Sequence, residues 1–303
     1  MVKFLNLIRN RDFLLATSVV LGLSWGEGAR WAEKAVLPAL ALVMTLATIG
    51  VPGSVFLSPR KLMFPALAGI ALNYGLLGGL LLGLSRLLVS EQALADGFVI
   101  MTAVPPAVAV IPFSAILEGN QTLALIGTTG CYLGALLLTP LIANQFLGPG
   151  FAQPAKILTI MVELILLPLV LSRILIWRGW AKKLEPWRGP ITNWSFFLVT
   201  YTIIGLNRRL FFENPGALIL PAMIALASTF FLGWIIEKMG RAWGIDPPTL
   251  TTMVLLATQK NTGLAAALAL TLFSEKTAVP ATISTIFMLV YMIWLSVRQR
   301  SFH

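Results

Sequence analysis

The chain has 303 residues, 57% of them hydrophobic and only 11% charged, with a formal net charge of +10. Soluble domains carry about 25% charged residues, so this balance excludes an ordinary soluble protein and implies an integral membrane protein. The one cysteine, Cys131, excludes an intrachain disulfide framework. The one histidine, the terminal His303, removes zinc clusters and histidine-dependent triads, so no metal and no cofactor is expected.

The basic residues fall between apolar stretches, which makes them topology markers and not a nucleic-acid surface. Apolar runs bounded by charge, proline or glycine predict ten membrane spans, near 12–29, 34–51, 62–85, 95–118, 121–145, 155–177, 191–207, 216–237, 248–274 and 278–297. The first is read as a retained helix, because Trp25, Glu27 and Arg30 come after it and no small-residue cleavage site is evident. With the N-terminus in the cytoplasm, the inner segments, including Lys3, Arg9, Arg60 and Lys61, carry roughly twice as many Lys and Arg as the outer ones. A cell-membrane protein with both termini cytoplasmic is therefore expected.

A basic linker around 178–190, flanked by Trp177, Trp180 and Trp187, leaves five spans on each side. Because five is odd, the second half must be inserted upside down relative to the first. The expected fold is all-α, two inverted five-helix repeats, an arrangement that places sites near the bilayer midplane in many secondary carriers.

The fourth span of each half is abnormal. In the first half, Pro105 and Pro106 fall midway along 95–118, with Pro112 two turns on. Each removes a backbone donor, so the carbonyls around Met101 and Thr102 need other partners, unless the helix is merely kinked and its neighbours absorb them. In the second half, Thr258, Gln259, Lys260, Asn261 and Thr262 interrupt an apolar run ahead of Gly263. Successive residues turn by about 100° on a helix, so these five cannot share one face, and an unwound segment is expected. A lysine at mid-span costs about 2.5–3.5 kcal/mol on insertion scales and marks either a pathway or an ion pair, for which Glu163 is the intramembrane candidate. Two such segments meeting in opposed halves would offer half-helix ends to an anion or a polar zwitterion.

At these residues the sequence resembles the bile acid:sodium symporter family, including its related bacterial carriers of organic anions. The likeness runs over most of the chain through Leu37 Pro38, Met44, the proline-marked fourth span, Gly119 Asn120 with Leu123, Thr139 Pro140 ending the fifth span, and Asn261 Thr262 Gly263 Leu264 Ala265. It implies a ten-helix fold with a panel and a core domain. Residues 1–178 would hold panel helices 12–51 and 155–177 with core helices 62–145. Residues 179–303 would hold the linker, a seventh panel helix and core helices 216–297. The resemblance also implies crossed fourth and ninth helices and alternating access by movement of core against panel.

The chain departs from the family pattern at its sodium-ligand positions. Val110 and Ile111 stand where sodium users have Ser and Asn, Leu256 where they have Glu, Ala124 where they have Ser, and Lys260 where they have Gln, while Thr128 keeps its oxygen. A hard cation needs several oxygen donors to replace its hydration shell, so sodium is doubtful as a partner. Lys260 is read as standing in for the missing cation, in a carrier that is proton-coupled or facilitative. Asn73 aligns with a polar position near the family's second ion site, or else bonds a neighbouring helix. Ser114 could face the cavity or bond back to its own helix. Gln121 and Thr122 could cap the fifth span, and Glu118 and Glu275 are read as solvated helix ends.

The site set is Asn73, Thr102, Pro105, Pro106, Ser114, Thr128, Thr258, Gln259, Lys260, Asn261 and Thr262. The expected substrate is a small organic anion, in a pocket with Val110, Ile111 and Phe113 beside the break. The alternatives are a sodium-coupled symporter of the same family and, from other classes, an intramembrane enzyme using Ser114, Lys260 and Glu163 or a noncatalytic receptor.

Overall fold

The computed structural model describes residues 11–50, 59–147, 154–213 and 215–300; Lys3, Arg9 and His303 lie outside them, as do the side chains of Arg60 and Lys61. Among the described residues the protein is all-helical, with no strand. In chain order the main helices are α1 (Arg11–Ser24), α2 (Ala29–Ile49), α3 (59–88), α4 (Gln92–Ala103), α5 (Val110–Ile116), α6 (Gln121–Phe146), α7 (154–177), α8 (Trp180–Leu206), α9 (Pro215–Ala242), α10 (Pro247–Thr258), α11 (Thr262–Leu272) and α12 (Val279–Arg300). Six are long and apolar enough to cross a membrane: Ala29–Ile49, Met63–Leu88, Gln121–Phe146, Leu158–Trp177, Pro215–Ala242 and Lys276–Gln299. Of the other four expected spans, the first holds the shorter apolar helix Phe13–Ser24, the fourth and ninth are each broken into two helices, and the seventh forms part of α8.

The chain folds as two compact units, Met1–Pro52 with Thr159–Pro215 and Gly53–Leu158 with Gly216–His303. In the first, α1 and α8 approach closely where a side chain on Gly26 would stand 2.6 Å from the Gly205 carbonyl oxygen, and the Tyr201 hydroxyl donates to the Trp25 carbonyl at 2.9 Å. The linker expected at 178–190 is helical instead. The chain turns at Gly179, whose φ of 71° is natural only for glycine, and α8 then runs unbroken through Pro186 and Pro190. Those prolines sit in a solvent-facing stretch that includes Lys182, Lys183, Glu185 and Trp187, where water can serve the carbonyls they leave free.

In the second unit, α3 packs on α6 through small residues. A Cβ on Gly69 would fall 2.7 Å from the Gly127 carbonyl oxygen and one on Gly130 2.5 Å from the Ala66 Cβ, so the backbones are nearly in contact. Thr139 and Pro140, read as ending the fifth span, lie inside α6, which continues to Phe146. Both α3 and α9 contain a π-helical segment, at Ala71–Gly78 and Ala227–Phe231.

Two asparagines explain why helices begin where they do. Asn120 caps α6, its Oδ1 accepting from the Leu123 amide at 3.0 Å while its Nδ2 donates to the Thr249 hydroxyl at 3.0 Å. Gln121 and Thr122 are thus exposed first-turn residues and not the cap. Asn261 caps α11 in the same way, through the Leu264 amide at 3.0 Å. Gly119 must be small because a Cβ there would meet the Ser114 and Thr252 hydroxyl oxygens at 2.6 and 2.7 Å. The left-handed residue that ends α5 is Glu118, with φ 50°.

Candidate functional site

Two consecutive prolines end helix α4. Pro105 forces Val104 into an extended conformation (φ −79°, ψ 153°), and neither Pro105 nor Pro106 can donate to the turn before it. The carbonyls left over are taken up one by one. Thr102 O and Val104 O accept from the Lys260 ammonium at 2.9 and 2.8 Å, and Ala103 O from the Thr139 hydroxyl at 2.7 Å. Pro105 O accepts from the Asn261 amide at 2.9 Å and Pro106 O from the Tyr132 hydroxyl at 2.8 Å. The break is held by side chains and backbone from other helices, as a helix interruption away from water requires.

The second break answers the first. Gln259 is extended (φ −113°, ψ 104°), and its carbonyl accepts from the Ala107 amide at 3.2 Å. That bond and the one from Asn261 to Pro105 form a short antiparallel bridge pairing Pro106 with Lys260. Both bonds come from the flanking residues, so the donor that Pro106 lacks is not needed. The two interrupted helices cross as two extended segments that satisfy each other.

Lys260 is the centre of this crossing. Its side chain is 1% exposed, and besides its two carbonyls the ammonium lies 4.4 Å from the centre of the Tyr74 ring. Two hydrogen bonds to a charged donor, at about 1.5–3 kcal/mol each, and a desolvated cation–π contact of about 2 kcal/mol outweigh an insertion cost of roughly 3 kcal/mol. No ion pair involves Lys260 among the described residues. Glu163, the candidate for the alternative of an ion pair, is exposed and belongs to the other unit. Carbonyl dipoles and a ring face replace the carboxylate.

Of the expected site residues, Thr102, Pro105, Pro106, Gln259, Lys260 and Asn261 meet here. Asn73 joins them from the π-helical turn of α3, its Nδ2 donating to Leu256 O at 2.8 Å and Gln259 O at 3.2 Å. The Thr258 hydroxyl bonds back to Val254 O and accepts from Gln259 Nε2 at 3.3 Å. Ser114 and Thr262 have other partners: Ser114 pairs with the Thr252 hydroxyl at 2.9 Å where α5 ends, and Thr262 accepts from Thr285 of α12 at 2.8 Å. Thr128 is buried on α6, and its hydroxyl has no hydrogen-bond partner among the described residues.

Sequence reasoning missed Tyr74, Tyr132 and Thr139. Tyr132 both serves Pro106 O and accepts from Asn261 Nδ2 at 2.9 Å, tying the two breaks together. All four tyrosines of the chain fall well inside predicted spans, so position alone does not single out Tyr74 and Tyr132. Beside the crossing, Val110, Ala124 and Leu256 pack with Phe113, Leu117, Leu123, Leu255 and Met292 into one apolar cluster.

Membrane-length helices and two interrupted ones meeting around a buried cation define a multi-pass membrane transporter. Residues 61–298 match the SBF-like CPA transporter family, and the chain belongs to it. It is 24% identical over 299 residues to a probable sodium/metabolite cotransporter of Oryza sativa subsp. japonica, BASS3, chloroplastic, covering 86% of this chain and 69% of that protein. It is also 24% identical over 251 residues to the probable sodium/metabolite cotransporter BASS1, chloroplastic, of Arabidopsis thaliana, covering 82% of this chain and 61% of the relative. These relatives are named as transporters and not as enzymes.

Proposed function

We propose that the protein is a secondary transporter of an organic anion, working by alternating access without sodium, with Lys260 as a tethered cation in place of the coupling ion. The observation that carries this reading is the pair of bonds from the Lys260 ammonium to Thr102 O and Val104 O, oxygens of the kind a hard cation would seek. The apolar cluster around Val110, Ala124 and Leu256 supports it, since hydrocarbon fills positions that the family resemblance assigns to sodium ligands. A fixed positive charge between half-helix ends suits an anionic solute. The carrier is then proton-coupled through the lysine, or facilitative.

The architecture is in this reading a ten-helix inverted repeat, with both termini in the cytoplasm of a cell-membrane protein. Its support is the recurring order of features. A π-interrupted helix (α3, α9), a broken helix (α4 and α5, α10 and α11) and a long continuous helix (α6, α12) succeed one another in each half, although α7 carries a π-helical segment too, at Val162–Leu166. The four helices α1, α2, α7 and α8 correspond to a panel and the remainder to a core.

The description of the relatives as probable sodium/metabolite cotransporters favours a second reading, sodium/metabolite cotransport. Counterflow in proteoliposomes, screened over small organic anions, would find a substrate, and uptake under imposed gradients separates the readings. Uptake indifferent to a sodium gradient is expected, and strong sodium dependence overturns the proposal in favour of the second reading.

A further inference from the structure

Away from the crossing, the second unit has a cavity of about 220 Å³ where the end of α9, the start of α10 and the end of α12 come together. Two guanidiniums line it, Arg241 and Arg298, with one carboxylate, Glu237. Both arginines bond the same oxygen, Oε1 of Glu237, each through Nη2, and Arg298 also lies 4.7 Å from the centre of the Trp294 ring. A guanidinium has five N–H donors, so most of the donor capacity of the pair is not spent on Glu237. The local charge is +1. Asp246, the nearest other carboxylate in sequence, does not line the cavity and caps α10 by accepting from the Thr249 amide at 3.0 Å. The remaining walls, Ile245, Pro247, Leu250, Val254 and Leu295, are apolar apart from Thr251.

We propose that this cavity binds a phosphate group. Two planar forks sharing one carboxylate oxygen call for an anion whose oxygens do not all lie in one plane, and tetrahedral phosphate, as monoester or diester, can meet both forks, whereas a second carboxylate holds its two oxygens in a single plane. The group comes from a phospholipid head or from a soluble phosphate compound. Because α10 is the first half of a broken helix, an occupant here holds that half against α9 and α12, so the site is placed to bias the crossing. The proposal does not depend on Lys260 or on the coupling ion.

The test is ligand binding to the purified full chain, with inorganic phosphate on protein in neutral detergent as one arm and, as the other, nanodiscs of a phosphorus-free glycolipid with and without phosphatidylglycerol. Saturable thermal stabilisation in either arm is expected, and the arm that responds identifies the source. The double variant Arg241→Gln, Arg298→Gln should bind about ten- to a hundredfold more weakly. Glu237→Gln should bind more tightly, since it removes the competing carboxylate. Lys238→Gln alters an exposed neighbouring charge, which sits 5.0 Å from the centre of the Trp234 ring, and should change nothing. Stabilisation in neither arm, undiminished binding by the double variant, or an equal loss in Lys238→Gln would overturn the proposal.

Discussion

The Lys260 ammonium stands 2.8 Å from the carbonyl oxygen of Val104, a group that would bond the Val108 amide if α4 continued as a helix. The charge of one broken helix thus fills a gap in the other, and each interruption is stable only because its counterpart exists.

Lys260→Met keeps the aliphatic stem and removes every donor. It leaves Thr102 O and Val104 O buried without a partner, at about 1–3 kcal/mol each. Thermal unfolding in detergent should show a loss of this size, and transport should be abolished. Stability and uptake both equal to wild type would mean that the crossing does not need the charge.

The ring of Tyr74 and its hydroxyl have different roles. Among the described residues the hydroxyl makes no hydrogen bond of normal geometry, its nearest polar neighbour being Thr139, whose own hydroxyl donates to Ala103 O, and the ring faces the ammonium, so Tyr74→Phe should be close to neutral, while Tyr74→Leu should cost about 1–2 kcal/mol. Equal effects in the two variants, measured by thermal unfolding, would remove the cation–π contact from the account.

Much of this crossing can be read from the residues alone. Consecutive prolines and five successive polar residues are local violations of helix chemistry, and a local violation needs no knowledge of the neighbours to be seen. The partners of Lys260 are not legible in the same way, because main-chain carbonyls are common to every residue, and a sequence offers only carboxylates such as Glu163 as candidate partners for a lysine. Tyr74 and Tyr132 were hidden for the opposite reason, since a lone aromatic in an apolar run matches its background. The helical start of α8 escaped because Pro186 and Pro190 normally break helices, and a solvated stretch tolerates them. The caps at Asn120 and Asn261 were visible as motif residues, but their common geometric role needed coordinates.

The two caps should differ in weight. Asn120→Ala and Asn261→Ala each remove an N-cap, worth typically about 1 kcal/mol. Asn120→Ala also takes a part-buried partner from the Thr249 hydroxyl, whereas Asn261→Ala takes a fully buried one from Tyr132, so the loss of thermal stability should be larger for Asn261→Ala. The reverse order would contradict the placement of Tyr132 between the breaks.

Asp246 links the start of α10 to pH. The Thr249 amide, donating to its carboxylate, holds Asp246 below the usual carboxylate range. A depressed folded value means that the stabilisation is present above the ordinary Asp range near pH 4 and is lost as pH falls through the folded value. Asp246→Asn keeps an acceptor and should unfold with a weaker dependence on acid pH than wild type. An unchanged dependence would show that the cap is not charge-linked.

The most direct test of the tethered-cation account is equilibrium binding of radioactive sodium to the purified protein, which needs no knowledge of the solute. With Lys260 holding the carbonyls and hydrocarbon at Val110, Ala124 and Leu256, wild type should bind no sodium saturably. Saturable, stoichiometric binding by wild type would contradict the account.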